Sequence, residues 1–217
     1  MSDSPENQAT ETQDADDARW ADKKRKQKAA RDRILAKKTR EKGLLMVHTG
    51  KGKGKTTAAM GLAMRAIGNG MKVGIVQFVK GKWETGERQV LEAFPEQIEI
   101  KVMGEGFSWD SQDRQRDIAA ASAAWEMAKE MIADPDFGLV VLDELNIPLR
   151  YDHLDINEVV AGLLAKREDL HVVVTGRNAK DELIEAADMV TDMTMVKHHF
   201  RDDVKAQKGD RVLRLRS

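Results

Sequence analysis

Between Thr49 and Thr57 the chain reads Thr-Gly-Lys-Gly-Lys-Gly-Lys-Thr-Thr, a set of residue types suited to holding phosphate. In the usual loop, G-x-x-x-x-G-K-[ST], glycines let backbone N–H groups turn towards an anion, a lysine reaches the outer phosphates and a hydroxyl binds Mg²⁺. Gly54, Lys55 and Thr56 supply the second half of that pattern. Thr49 stands where its first glycine is usual, and the glycines fall instead at Gly50, Gly52 and Gly54. The loop is a variant, but its setting is the expected one: an apolar strand enters and a helical pattern leaves, which brings the positive end of a helix dipole to the anion. About ninety residues further on, Leu139-Val-Val-Leu-Asp143-Glu144 is an apolar strand ending in two acids, the usual place for a carboxylate that binds Mg²⁺ beside such a loop. Thr56, Asp143 and Glu144 are therefore the candidate metal ligands, and Gly50 to Thr57 the candidate phosphate cradle.

Lysines at 51, 53 and 55 are more than γ-phosphoryl transfer normally needs. Lys51 and Lys53 are either solvated cations that raise affinity, or an answer to negative charge building up on the whole phosphate chain during reaction. No Ser/His/Asp arrangement, metal-ligand histidine pair or carboxylate dyad stands out elsewhere. Adjacent side chains in regular structure point in different directions, so His198 and His199 are not expected to share a metal.

The elements that position these groups follow from periodicity. Apolar runs alternate with helical patterns beyond residue 43, the signature of βαβ units around a largely parallel sheet. Together with the loop and the paired acids this leads to the expectation of an α/β fold of P-loop NTPase-like (RecA-like) type, with helices on both faces. Strands are expected at Leu44–His48, Val73–Val79, Ile98–Met103, Leu139–Leu142 and His171–Thr175. Helices are expected at Thr56–Asn69, closed by Gly70, at Asp110–Ala133 ahead of Pro135, from an Asp155 cap to about Arg167, and at Asp181–Asp188.

Residues 1–17 hold no large apolar side chain and read as a disordered acidic tip. Residues 18–42 carry a dozen Lys and Arg against three acids, with Trp20, Ile34 and Leu35 as the large apolar groups, and read as a marginal, mostly solvated helix. It is either a charged helix that docks weakly on its own domain or a basic arm closing over an anionic ligand, and a nucleic-acid arm is a distant third. Residues 43–217 form the folded domain. The whole chain, 217 residues with 41% hydrophobic and 34% charged content and a formal charge of -1, suits one soluble domain and offers no global field for nucleic acid or membrane. Without cysteine, thiolate chemistry and disulfides are excluded, and without a signal core or spanning run a cytoplasmic location is expected.

Further residues resemble those of the ATP:corrinoid adenosyltransferases of the CobA/CobO/BtuR type. The matching stretches are His48–Ala59, Gly61–Gly70, Val76–Gly81, Gly86-Glu87, Met103–Asp110, Asp143–Asn146, Leu149–Asp152, Val174–Arg177, Val196–His198 and Lys205–Gln207. Most specific are Gly-Phe-Ser-Trp-Asp around Phe107 and Trp109 and the Val-Lys-His…Lys-Ala-Gln ending. The resemblance implies that Co(I) of a reduced corrinoid attacks the 5′ carbon of ATP and expels triphosphate, a reaction that the lysine-rich loop suits. It implies phosphate binding by Gly50 to Thr57, with Thr49 leading in and Lys55 central to catalysis. Mg²⁺ (or Mn²⁺) is then held by Thr56 and Glu144 with Asp143 close by, and Arg65 and Arg177 contact the nucleotide. Phe107 and Trp109, which aromatic scarcity alone would assign to the core, then lie at the lower face of the corrin and displace its axial ligand, easing reduction of Co(II). The resemblance also implies a homodimer, an external reductant, a flavin or flavoprotein, and a lid role for residues 18–42. Two departures touch fine geometry only: Lys51 at a loop position often Asn or Asp, and Asn178 where glycine is common.

Overall fold

The computed structural model describes residues 5–79, 86–102 and 113–205, in two compact units, Met1–Glu41 and Lys42–Ser217. The first is one helix, α1 (Pro5–Leu35). It starts well ahead of residue 18, so residues 5–17, expected as part of a disordered tip, are helical. Proline fits the first helical position, and Glu, Gln and Ala are good helix formers, so local propensity favours a helix here. From Asp16 on, α1 is exposed almost throughout, Trp20, Ile34 and Leu35 included. Its support is local: Asp22 pairs with Arg25 at 2.6 Å and with Lys26 at 2.7 Å, and the Lys24 ammonium lies 5.3 Å from the Trp20 ring. Such pairs contribute only about 0.2–0.5 kcal/mol each.

The second unit runs β1 (Leu45–Thr49), α2 (Lys55–Gly68), β2 (Lys72–Gln77), α3 (Gly86–Leu91), β3 (Ile98–Val102), α4 (Arg114–Ala133), β4 (Phe137–Asp143), α5 (Asn146–Arg150), α6 (Ile156–Leu164), β5 (His171–Thr175), α7 (Asp181–Ala186) and β6 (Met189–Asp192), then a 3₁₀ turn, His199–Asp202. All strand pairs are parallel and the order is β3-β2-β4-β5-β1-β6. Two helix starts have the chemistry their sequence promises. Asp113 accepts from the N–H groups of Gln115 and Arg116, and Asp155 from those of Asn157 and Glu158, each a cap worth about 1 kcal/mol.

Alternate residues of the central strands feed two separate cores, as a period of two requires. Leu45, Val47, Val140, Leu142, Val172 and Val174 face α4, α6 and α7, whereas Met46, Leu139, Val141 and Val173 face α2. The chain thus leaves β1 through α2 towards one face and leaves β5 through α7 towards the other. Where neighbouring strands send their connections to opposite faces, a crevice opens at the carboxyl ends, and that is where open parallel sheets bind ligands. Among the described residues, no helix is long and apolar enough to cross a membrane.

Candidate active site

The crevice is built from the ends of β1, β4, β5 and β6. After β1 the backbone turns through Gly50 (φ 98°) and Gly54 (φ 104°), a conformation that disfavours any side chain. Close approach excludes side chains too: a Cβ on Gly50 would sit 2.2 Å from the Asp192 carboxylate and one on Gly52 2.6 Å from the Met193 carbonyl. The loop is pinned to the chain after β6, with Gly52 N–H donating to Met193 O at 2.6 Å and Met193 N–H to Thr49 O at 2.9 Å. Thr49 is buried and accepts from Ala179 N–H at 3.0 Å, so this threonine stitches the loop to the segment after β5. Beneath it, His48 is buried with Nδ1 3.4 Å from Lys55 O.

Lys55 is folded into the loop, its Nζ donating to Gly50 O at 2.9 Å and Gly52 O at 2.6 Å. Burial, with Arg177 adding repulsion, lowers its pKa against the opposing pull of Glu144 and Asp192. Lys51, Lys53 and Thr57 are exposed, while Thr56 is half-buried and donates to Asp143 Oδ1 at 2.9 Å. α2 begins with Gly54 and no side-chain cap, so its first N–H groups are left for an anion.

Asp143 ends β4 and is buried. Thr175 Oγ donates to its Oδ1 at 2.8 Å and Gln77 approaches Oδ2 at 3.5 Å. These donors only partly offset burial, which pushes the carboxyl above the usual range. Glu144, in a left-handed conformation (φ 60°), has its N–H bonded to Thr175 Oγ at 2.9 Å. Burial first and the Asp143 charge second raise its carboxyl to about 7, with Lys55 and Arg177 opposing. Two acids this poorly compensated, with a hydroxyl between them and the phosphate loop, fit a hard divalent cation that takes its remaining ligands from phosphate and water. Among the described residues, no cluster of three or more His, Cys, Asp or Glu is able to hold a metal.

Of the residues singled out in the sequence, the loop from Thr49 to Thr57, Asp143 and Glu144 converge here, and Arg177, two residues beyond β5, is near enough for its charge to act on Lys55 and Glu144. Arg65 does not join them. It is exposed in the last turn of α2, roughly 15 Å along the helix axis from Lys55 at 1.5 Å per residue. Phe107 and Trp109 lie outside the described residues. Asn178 has φ 54°, a left-handed conformation that asparagine tolerates, which explains how it stands where glycine is common. Thr175, Gln77 and Asp192 are contributors that sequence reasoning missed. The signal available for Thr175 was its place at the end of a buried strand, the same place that marked Asp143.

Fold and site define a P-loop nucleotide-binding protein, with a strand, β5, interposed between the phosphate-loop strand and the acid-bearing strand. Residues 41–210 match the family model for ATP:corrinoid adenosyltransferase BtuR/CobO/CobP. The corrinoid adenosyltransferase of Pseudomonas aeruginosa is 52% identical over 193 residues, covering 89% of this chain and 95% of that one. That of Sinorhizobium sp. is 54% identical over 196 residues, with 89% and 92% covered, and corrinoid adenosyltransferase CobA of Salmonella typhimurium is 45% identical over 193, with 89% and 97% covered. The chain belongs to the ATP:corrinoid adenosyltransferase family. Among solved structures, the flagellar accessory protein FlaH of Methanocaldococcus jannaschii overlaps 70% of this chain and 71% of its own at 11% identity and TM-score 0.46, too distant a likeness to bear on the site.

Proposed function

We propose that this protein transfers the 5′-deoxyadenosyl group of ATP to the cobalt of a reduced corrinoid and releases inorganic triphosphate. A cobalt–carbon bond forms with the electron pair of Co(I), the C5′–O bond breaks, and its pair leaves on the triphosphate. The observation that carries this reading is the cradle itself. An uncapped helix start and Lys55 converge on one loop flanked by Lys51 and Lys53, in a chain of this family. Charge that grows on a departing triphosphate is spread over many atoms, and a preorganised ring of N–H groups and ammonium groups stabilises it more than it stabilises bound ATP. The nucleophile is the corrinoid, so this reading requires no base to activate water.

Each residue has a part in this reading. The loop amides and Lys55 bind the triphosphate, and Arg177 adds charge from the β5 side. Thr56 and Glu144 hold Mg²⁺, or Mn²⁺, with Asp143 orienting Thr56; bound there, the cation neutralises phosphate charge. Phe107 and Trp109 lie under the corrin and remove its lower axial ligand, residues 18–42 supply the lid, a flavin or flavoprotein supplies the electron that takes Co(II) to Co(I), and the enzyme works as a cytoplasmic homodimer. Incubation of ATP with a chemically reduced corrinoid tests the central claim: triphosphate and a light-sensitive alkyl-cobalt product are expected, and ADP with phosphate would refute it. Phe107→Ala and Trp109→Ala are expected to slow turnover from Co(II) about tenfold more than turnover from Co(I). Equal losses from both starting states would remove the aromatic pair from the reduction step.

A further inference from the structure

Two of the segments that carry the family resemblance, Asp143-Glu-Leu-Asn146 and Val174-Thr-Gly-Arg177, are joined by Thr175 on the acids and also by Asn146, a side chain with no part in the chemistry just described. Asn146 opens α5 and is completely buried. Its Nδ2 donates to the carbonyl of Gly176 at 2.9 Å, while its Oδ1 has no hydrogen-bond partner among the described residues. A buried amide left half satisfied costs more than an apolar side chain of similar size would, so packing alone does not favour asparagine here. What asparagine supplies is the single bond to Gly176. That glycine has φ 130°, and a Cβ on it would lie 2.8 Å from the Asn146 Cβ and 3.2 Å from the Glu144 carboxylate. Its N–H reaches back to His48 O at 3.2 Å. The turn after β5 is therefore clamped between the phosphate-loop strand and the turn that carries the acids, and the next residue along it is Arg177.

We propose that Asn146 is a positioning residue for the nucleotide: its buried amide fixes the Gly176 peptide, and through it the backbone that presents Arg177 to the phosphate site. This rests on the reading of that site as one for Mg·ATP. Asn146 touches neither substrate, and it acts through Arg177.

A double-mutant cycle on the full chain tests it, read by calorimetric titration with Mg·ATP and, separately, with a corrinoid. Asn146→Ala and Arg177→Ala are each expected to weaken Mg·ATP binding about tenfold. The double variant is expected to bind within about twofold of Arg177→Ala, because residues that act in series do not add, and corrinoid affinity is expected to hold. A purely structural Asn146 would lower thermal stability without this non-additivity. Losses that multiply to about a hundredfold, or Asn146→Ala binding Mg·ATP as the parent does, would overturn the proposal. If circular dichroism shows Asn146→Ala unfolded, Asn146→Ser, which keeps a polar group in the buried position, takes its place in the same cycle with the same criteria. Failure of the parent protein to bind Mg·ATP at all would instead overturn the reading of the site on which the proposal rests.

Discussion

The two ends of β1 face opposite problems with charge. At its start, Asp188 accepts a hydrogen bond from Lys42 and another, at 3.0 Å, from the N–H of Leu45, and these donors hold its carboxyl below the ordinary range. At its finish, Asp143 and Glu144 are pushed the other way, by burial and, at Glu144, by the neighbouring acid, even though Asp143 accepts from two threonines. The first arrangement is complete and stabilises the fold as it stands. In the second, the cost of burial is only partly offset by the threonine donors and by the Lys55 and Arg177 charges, which is the cost that a cation would recover under the proposed reading. Opposite directions of shift within one sheet thus separate an ion pair that holds the fold from a site kept ready for use.

The largest effect is expected where the site is densest. Lys55→Ala removes the ammonium group that bridges Gly50 O and Gly52 O and takes a charge from the triphosphate cradle. Adenosyl transfer is expected to fall by about a thousandfold or more, the scale on which a preorganised electrostatic group contributes, with the fold retained by circular dichroism. Turnover within tenfold of the parent would show that the loop is not where the triphosphate departs. Lys51→Ala and Lys53→Ala, at exposed positions, are expected to cost about tenfold each, and measuring kcat beside KM separates their two readings. A loss in KM alone makes them affinity charges, whereas a loss in kcat puts them in the transition state.

How much of this was legible in the sequence depended on whether a feature was local. The strand at His171–Thr175 matches residue for residue, and Asp155 is the cap it promised to be, because burial periodicity and capping are written in neighbouring residues. β6 passed unnoticed because Met189-Val-Thr-Asp is only four residues long and exposed. What makes it a strand is the pairing of Met46 to Thr49 with Met189 to Asp192, a contact across nearly the whole domain. α5 is a five-residue helix with Pro148 in its middle, too short for any period to show. In the site, the loop and the two acids were legible as motifs. Thr175, which bonds Asp143 and the Glu144 N–H together, was not, since only the placement of β5 beside β4 brings it there. Arg65 shows the converse: its motif membership was clear, but a rigid helix carries it away from the loop.

Glu144 sharpens the contrast through pH. Its carboxyl titrates at about 7 in the fold against about 4.3 in an unfolded chain. A raised acid binds its proton more tightly when folded, so its contribution is favourable below the unfolded value and is lost as pH rises from about 4.3 to 7. Glu144→Gln removes that loss. The metal-free variant is therefore expected to be more stable than the parent at pH 8, by about 4 kcal/mol at most for a shift of this size, and to match it near pH 4. Thermal melts at the two pH values check this, and a variant less stable at pH 8 would contradict it. The same variant is expected to need more Mg²⁺ for ATP binding than the parent, since one of the proposed ligands loses its charge while Asp143 and the phosphates remain.

The smallest effect belongs to the other end of the strand, and its sign is reversed. Asp188 is stabilised in its charged form, so its contribution is present above the unfolded aspartate value, about 3.9, and disappears as pH falls through the lower folded value. Asp188→Asn keeps an acceptor for the Leu45 N–H but loses the ion pair with Lys42. The pair is partly exposed, so the expected cost at pH 7 is only about 1 kcal/mol, roughly 2–4 °C in melting temperature for a domain of this size. That difference is expected to shrink as pH falls below about 3.9, while adenosyl transfer at pH 7 stays at the parent rate because the site lies at the opposite end of β1. A melting difference that is the same at pH 3 and pH 7 would mean that the carboxylate charge does not hold this end of the strand. The two ends would then differ in burial alone rather than in whether their charges are matched.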